Sequence, residues 1–188
     1  MKRLVYLTLF AAVVALASPQ SAAAIAFTFA PASQSANINN GPLSVDIIVS
    51  GLSGSQIGDY DLDVSFNPSI LSPTNVLFGP YLGAPSDSIN GFSFTPGVVD
   101  LFEVSFLDPA TLAALQPDSF TLATLVFSPL QLGTSPLTFS QLIAGDADGN
   151  PLSVQAGTGS ATVTPEPGSL LLLGSGLLAA VIRRRRAG

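Results

Sequence analysis

The stretch Ile57-Gly58-Asp59-Tyr60-Asp61-Leu62-Asp63-Val64-Ser65-Phe66-Asn67-Pro68-Ser69-Ile70-Leu71 contains a two-residue alternation that decides the fold class. Tyr60, Leu62, Val64 and Phe66 fall on one side of it, and Asp59, Asp61, Asp63 and Ser65 on the other. Side chains of an extended chain point to opposite faces in turn, so the first set belongs on a core and the second in water. The stretch therefore reads as a half-buried β-strand. Asn67-Pro68 ends it, because proline has no N–H to give to a ladder.

The same period recurs on both sides of this strand. Leu43, Val45, Ile47 and Val49 share one face of an earlier strand, opposite Ser44, Asp46 and Ser50. Val98, Phe102, Val104 and Phe106 predict the inward face of a later one, interrupted by Asp100. Phe120, Leu122, Thr124 and Val126 alternate with Ala123, Leu125 and Phe127, so that segment is apolar on both sides and reads as central. Further strands are expected near Leu137 to Ala144 and Leu152 to Val163. One short helix interrupts the pattern, with Asp108 as N-cap, Pro109 in the first turn and Ala110 to Leu115 as its body, stopped before Pro117. About eight or nine strands, with long connections near Gly79 to Thr95, predict an all-β two-sheet sandwich with Greek-key or jelly-roll connections. Closure into a barrel is the alternative.

Composition supports this class and narrows the partners. Apolar residues make up 47% of the 188, twelve are Phe, and cysteine is absent, so a core must do what disulfides do in many exported domains. All six basic residues lie at the ends, as Lys2, Arg3 and Arg183 to Arg186, and the net charge is −6. Of the twelve acidic residues only Glu166 lies outside residues 25–164, which leaves eleven there with no Lys or Arg among them. A polyanion of that kind excludes nucleic acid as a partner.

Both ends read as export signals. Residues 1–24 join a basic start, Lys2-Arg3, to a run from Leu4 to Ala17 that is apolar but for Thr8, and close on Ala22-Ala23-Ala24. This is the build of a secretory signal peptide cut after Ala24, with Ala15-Leu16-Ala17 as a second candidate site. Residues 165–188 reverse the order: Pro165-Glu166-Pro167-Gly168, an apolar stretch from Ser169 to Ile182, then four arginines. As a helix the fourteen residues of that stretch span about 21 Å at 1.5 Å per residue, less than the roughly 30 Å hydrocarbon core, with Arg183, Arg184, Arg185 and Arg186 as a cytoplasmic stop. So short a membrane helix behind a proline-fixed extended motif fits a transient stop that presents the motif to a processing enzyme. An ordinary single-span anchor is the competing account.

Pro165-Glu166-Pro167, followed by Gly168-Ser169-Leu170-Leu171-Leu172-Leu173-Gly174 and closed by the arginines, resembles a PEP-CTERM sorting signal. The resemblance implies recognition of Pro165, Glu166 and Pro167 by an integral-membrane exosortase, in a bacterium of Gram-negative type that makes exopolysaccharide and biofilm. The chain would then pass through the inner membrane transiently and end at the cell surface or in the extracellular matrix. The stretch from Ile57 to Leu71, together with Asp118-Ser119-Phe120-Thr121-Leu122-Ala123-Thr124-Leu125-Val126-Phe127, resembles the cohesin domain. That likeness spans roughly residues 25–164 and implies a jelly-roll sandwich related in fold to carbohydrate-binding modules. Cohesins bind dockerins, and no dockerin repeat occurs in this chain.

Catalytic readings lack parts. Without His, Cys, Lys or Arg, the domain cannot build a Ser-His or Cys-His nucleophile or a Cys/His zinc site. Asp59, Asp61, Asp63, Asp100 and Glu103 are the available suppliers of a glycosidase-type carboxylate pair, against which stands a solvated acidic strand face. Calcium has one candidate loop, because Asp146, Asp148 and Asn150 place oxygen side chains at alternate positions as an EF-hand begins. Pro151 then stands where the sharp-turn glycine belongs and Gly157 where the bidentate Glu belongs, so an EF-hand is excluded, and a lone loop site competes with a turn at Asp148-Gly149. Sugar-binding platforms would have to come from Phe78, Tyr81, Phe92 and Phe94, since Trp is absent. The reading is a non-enzymatic exported binding or scaffolding protein, with exosortase, the membrane, and an exopolysaccharide or surface protein as partners. A polysaccharide-acting enzyme and a calcium-stabilised adhesion module are its alternatives.

Overall fold

The computed structural model of this chain describes residues 24–39 and 41–165, together with Gly168 and Ser175. The expected signal peptide up to Ala23, Glu166, Pro167, most of the apolar stretch and the four arginines lie outside the described residues. No helix among the described residues is long and apolar enough to cross a membrane.

The described strands are β1 (Ile25–Ala30), β2 (Ser33–Asn37), β3 (Leu43–Ser50), β4 (Asp59–Ser65), β5 (Leu71–Phe78), β6 (Ser88–Thr95), β7 (Val98–Ser105), β8 (Ser119–Pro129), β9 (Gly133–Gly145), β10 (Val154–Ala156) and β11 (Thr158–Thr164). One sheet runs in the order β10-β1-β3-β8-β5 and the other β2-β11-β9-β4-β7-β6. Among the described strands, β6 and β7 are the one consecutive pair that hydrogen-bond to each other. Every other connection crosses from sheet to sheet, the connectivity that jelly-roll sandwiches use. Helix α1 (Pro109–Leu115) forms as its sequence requires, with Asp108 Oδ1 accepting from the N–H groups of Ala110 at 3.0 Å and Thr111 at 3.1 Å.

Period-two patterning holds where one side of a strand is polar. Leu43, Val45, Ile47 and Val49 of β3 and Tyr60, Leu62 and Val64 of β4 are all buried between the sheets. Phe29 stacks on Phe139 with ring centroids 4.5 Å apart, and Phe66 meets Phe127 edge-on at 5.4 Å. Each large side chain so buried contributes about 1.5–3 kcal/mol.

Two sequence expectations are corrected, and a third, the central place of β8 between β3 and β5, holds while its two-sided apolar pattern has an unexpected cause. On β7 the inward residues are Val99, Leu101 and Glu103, while Phe102, Val104 and Phe106 are exposed. Both sides of β7 are apolar enough to pass as inward, so its partner decides: Tyr60↔Glu103, Leu62↔Leu101 and Val64↔Val99 are cross-strand pairs, and such pairs share a face. On β8 the apolar character of both sides comes from a bulge. Ile47 pairs with Ala123 and Ile48 with Thr121, so Leu122 is an extra residue, and the buried set passes from Phe120 and Leu122 to Ala123, Leu125 and Phe127. The region Gly79 to Thr95, read as a long connection, contains strand β6, and β5 precedes it.

The strand count exceeds expectation because the first and last segments each change sheet. Beyond Ala30 the chain leaves β1 for β2, and at Gly157 it leaves β10 for β11. The two segments run parallel to each other through both sheets, β1 with β10 and β2 with β11. Gly159 permits the approach, since a Cβ there would lie 2.9 Å from Phe29 Cβ. This closes one side of the sandwich. The other side, between edge strands β5 and β6, is bridged by Phe78 and Phe92 at 6.4 Å, so the fold is a sandwich with one open edge and no closed barrel.

The two ends of the sandwich are differently made. At one, Phe66 N–H donates to Gly97 O at 2.9 Å, Leu130 N–H to Ile70 O at 2.8 Å and Ile38 N–H to Thr164 O at 3.2 Å, gathering the turns beside the end of β11. At the other, the Gln116 side chain accepts from Ile57 N–H at 2.9 Å and donates to Ile57 O at 2.8 Å and Tyr81 O at 3.1 Å, tying three loops together. Strand β1 starts at this second end, where Ala26 pairs with Ser50.

The corrected face of β7 has a direct check by urea denaturation. Leu101→Ala is expected to lower stability by about 2–5 kcal/mol and Phe102→Ala by about 1 kcal/mol. The reverse order would restore the face read from the sequence.

Candidate functional site

Strands β9, β4, β7 and β6 lie side by side, and their registers set the outward side chains in rows across the sheet. One row is Gly145, Asp59, Val104 and Ile89, the next Ile143, Asp61, Phe102 and Gly91, and a third Gln141, Asp63, Asp100 and Ser93. Ile89, Phe102, Val104 and Ile143 are 54%, 38%, 38% and 55% exposed, a large apolar content for the outside of a sheet. The Phe102 ring lies across Gly91, where a Cβ would come within 2.8 Å of its Cε1. Asp59, Asp61 and Asp63 thus form a file down β4, with Ile143 and Phe102 on either side of Asp61 and Val104 beside Asp59, and the domain has no Lys or Arg to neutralise them. Burial, Asp100 and Asp61 push the Asp63 carboxyl above the usual range, and burial and Asp146 do the same to Asp59. A surface that holds unneutralised carboxylates close together has a matching preference for cationic groups.

Beneath this face lies a carboxylate that the sequence reading placed among the solvent-facing acids. Glu103 is 1% exposed. Its Oε2 accepts from the Tyr60 hydroxyl at 3.1 Å, and its Oε1 from Ser88 Oγ at 2.9 Å and Asn90 Nδ2 at 3.4 Å. Burial pushes its pKa up, against the downward pull of the bonds from Ser88, Tyr60 and Asn90. The Tyr60 hydroxyl is held well above its usual value by burial and by the neighbouring Glu103. Beside the network, at the open edge, is a cavity of about 250 Å³ walled by Phe78, Pro80 and Pro85 and lined by no second carboxylate.

These placements bear on each sequence candidate. Asp59, Asp61, Asp63 and Asp100 stand on the outer surface of one sheet and Glu103 under it; Asp63 and Asp100 are neighbours on that one surface, and no two of the five oppose each other across a cleft as a glycosidase pair must. Phe92 and Phe94 stand exposed on β6 with centroids 5.2 Å apart, whereas Phe78 and Tyr81 pack on the core. Asp146 and Asn150 are brought together. Asp146 Oδ1 accepts from the N–H groups of Asp148 at 2.9 Å and Asn150 at 2.8 Å, and Asn150 Nδ2 donates to Oδ2 at 3.0 Å, forming an Asx-type turn with Gly149 at φ +80°. Those bonds hold the Asp146 carboxyl below the usual range. Of the sorting residues, Pro165 is exposed and follows β11 directly.

The fold is similar to that of cohesin modules. The sixth cohesin of scaffoldin B from Acetivibrio cellulolyticus, solved with a dockerin, superposes with a TM-score of 0.60 at 16% identity, over 75% of this chain and 99% of that one. A non-cellulosomal cohesin from the archaeon Archaeoglobus fulgidus gives 0.57 at 14%, over 78% and 94%, and CaCohA2 of Clostridium acetobutylicum 0.59 at 24%, over 77% and 93%. Residues 163–186 match the PEP-CTERM protein-sorting motif, which marks an exported bacterial protein sorted to the cell envelope or surface. No curated protein matches the sequence.

Glu103 gives a pH signature. A carboxyl whose folded pKa is raised binds its proton more tightly in the folded state, so its contribution to stability is fully present below the ordinary 4.5 and is lost as pH rises through the raised value. Glu103→Gln is therefore expected to melt with the wild type in acid and above it at pH 7, measured by thermal scans across pH; parallel curves would remove the buried charge from the account. Asp146→Ala is expected to lower the melting temperature equally in calcium and in chelator, because donors already occupy both carboxylate oxygens. A drop seen only in calcium would assign the loop to the metal.

Proposed function

We propose that the chain is a non-enzymatic surface protein whose sandwich binds another protein. It is exported, recognised by an exosortase at Pro165, Glu166 and Pro167, and released to the cell surface or the exopolysaccharide matrix of a Gram-negative-type bacterium. The tail, with Ser169 to Ile182 in the membrane and Arg183 to Arg186 on the cytoplasmic side, serves as the transient stop. Supporting the binding role is one observation above the others: an exposed apolar set, Ile89, Phe102, Val104 and Ile143, astride a file of unneutralised aspartates. Its occupant is a protein segment with apolar side chains and Lys or Arg beside them, since apolar area supplies affinity and opposite charge supplies orientation and rate. Cohesins solved with dockerins share the fold, which makes a protein ligand the leading choice. Polysaccharide binding is the second reading, favoured by the exposed pair Phe92 and Phe94 on the open edge.

Two measurements test the reading. Mature protein immobilised over an envelope extract of its host is expected to retain a partner that Asp61→Arg and Phe102→Ala release and Phe94→Ala keeps. Release by Phe94→Ala or by soluble polysaccharide instead would move the function to the open edge. Intact-mass analysis of extracellular material is expected to find a species that starts at Ile25 and ends near Pro165. Retention of residues 165–188 in the inner membrane fraction would overturn processing.

A further inference from the structure

The acidic residues of the domain are unevenly distributed between the two ends of the sandwich. The loops at the end where β1 begins carry Asp87, Asp108, Asp118, Asp146 and Asp148, and the remaining six acids lie on strands. The turns at the opposite end, beside Thr164, carry none: Gly41-Pro42, Asn67-Pro68-Ser69-Ile70, Pro96-Gly97 and Leu130-Gln131-Leu132 are free of charge. Leu130 and Leu132 are 49% and 53% exposed there, on the connection from β8 to β9, and Pro42, Pro68 and Pro96 are exposed on the neighbouring turns.

That neutral end is also where the chain leaves the domain. Val163 pairs with Gly133, which follows Leu132 directly, and Thr164 is the last residue of β11. Ser169, where the apolar stretch starts, is five residues beyond Thr164, a distance of about 17 Å even for a fully extended chain. Strand β11 cannot peel away to lengthen this link cheaply, because it is paired on both sides, with β2 and β9.

We infer that in the protein that has lost its leader and keeps its tail the neutral end rests on the lipid surface, with Leu130 and Leu132 in the headgroup region and the acidic end turned away. The inference rests on the reading of Ser169 to Ile182 as a membrane segment. It goes beyond it by assigning the sandwich its own lipid contact and a fixed orientation. Three separate features agree on the same end: exposed leucines, absence of charge, and a tether too short to let that end retreat. Anionic headgroups repel the opposite, aspartate-bearing end and so favour the same orientation.

The chain has no cysteine, so single probes can be introduced. Protein running from Ile25 to Gly188 is reconstituted into phosphatidylethanolamine and phosphatidylglycerol vesicles containing lipids with a quencher near the headgroup. A fluorophore is placed at Gln131→Cys or at Asp148→Cys. Several-fold stronger quenching at position 131 is expected, and it is expected to fall, while staying above that at position 148 because the tether still holds this end near the lipid, when Leu130→Ser and Leu132→Ser are added and the protein still floats with the vesicles. Equal quenching at the two positions in protein that floats overturns the inference and leaves the membrane tail intact. Undiminished quenching in the serine variant overturns the role of the leucines. Failure to float overturns the membrane tail, and the lipid contact with it.

Discussion

The pairing of β4 with β7 and β9 is the constraint on which the rest of the domain depends. Tyr60, Leu62 and Val64 have only one acceptable side, because the alternate positions are aspartates and a serine that lose water if turned inward. Once β4 is set that way, hydrogen-bonded register carries the choice to its neighbours. Leu101 and Val99 are drawn in, and Phe102 and Val104 are put out. Glu103 is forced into the interior opposite Tyr60, where Ser88, Asn90 and the tyrosine hydroxyl supply the donors that a buried carboxylate needs. The exposed apolar surface and the buried acid are thus two results of one register, and a slip by one residue would exchange them.

Legibility followed the same logic. β3, β4 and α1 were readable because each carries a local contrast: polar against apolar on alternate residues, or a capping aspartate before a proline. β7 was not, since Val99 and Leu101 on one side are no more apolar than Phe102 and Val104 on the other, and only the partner strand breaks the tie. β8 lies between β3 and β5, as its sequence suggested, but its pattern has a different cause. A bulge at Leu122 shifts the parity of the inward face, which in a linear reading looks like a strand apolar on both sides. β5 carries Pro73 and an irregular register near Asn75, and β6 is an edge strand whose pattern is loosened by Gly91, so both lacked the alternation that identifies a strand. The sorting motif was fully readable because its information lies in the order of residues along the chain and requires no partner strand.

Two sides of the sandwich differ in how they are sealed. Where the first and last segments run together through both sheets, backbone hydrogen bonds close the structure, including Gly157 N–H to Phe27 O at 2.8 Å and Ser160 N–H to Ala32 O at 2.9 Å. On the other side, between edge strands β5 and β6, the gap is bridged by the side chains of Phe78 and Phe92. The buried network around Glu103 sits next to this looser side, so its polar groups are screened by β6 and by the prolines of the β5–β6 connection. Opening of the domain by local fluctuation would start there, and it would hydrate Glu103 before it disturbed the seam.

The parallel course of the first and last segments puts the start of the domain at one end of the sandwich and its finish at the other. From Ile25 to Asn37 the chain descends thirteen residues through both sheets, a height of about 40 Å at 3.3 Å per residue. A precursor held in the same bilayer by a leader ahead of Ile25 and by an anchor after Pro165 would have to lie on its flank, because its two attachment points are a whole domain apart. Cutting the leader frees one point and lets the body swing upright on the other. Removal of the leader would thereby be a mechanical event as well as a chemical one, since it would free the body to stand on its Thr164 end before the second cut releases the protein.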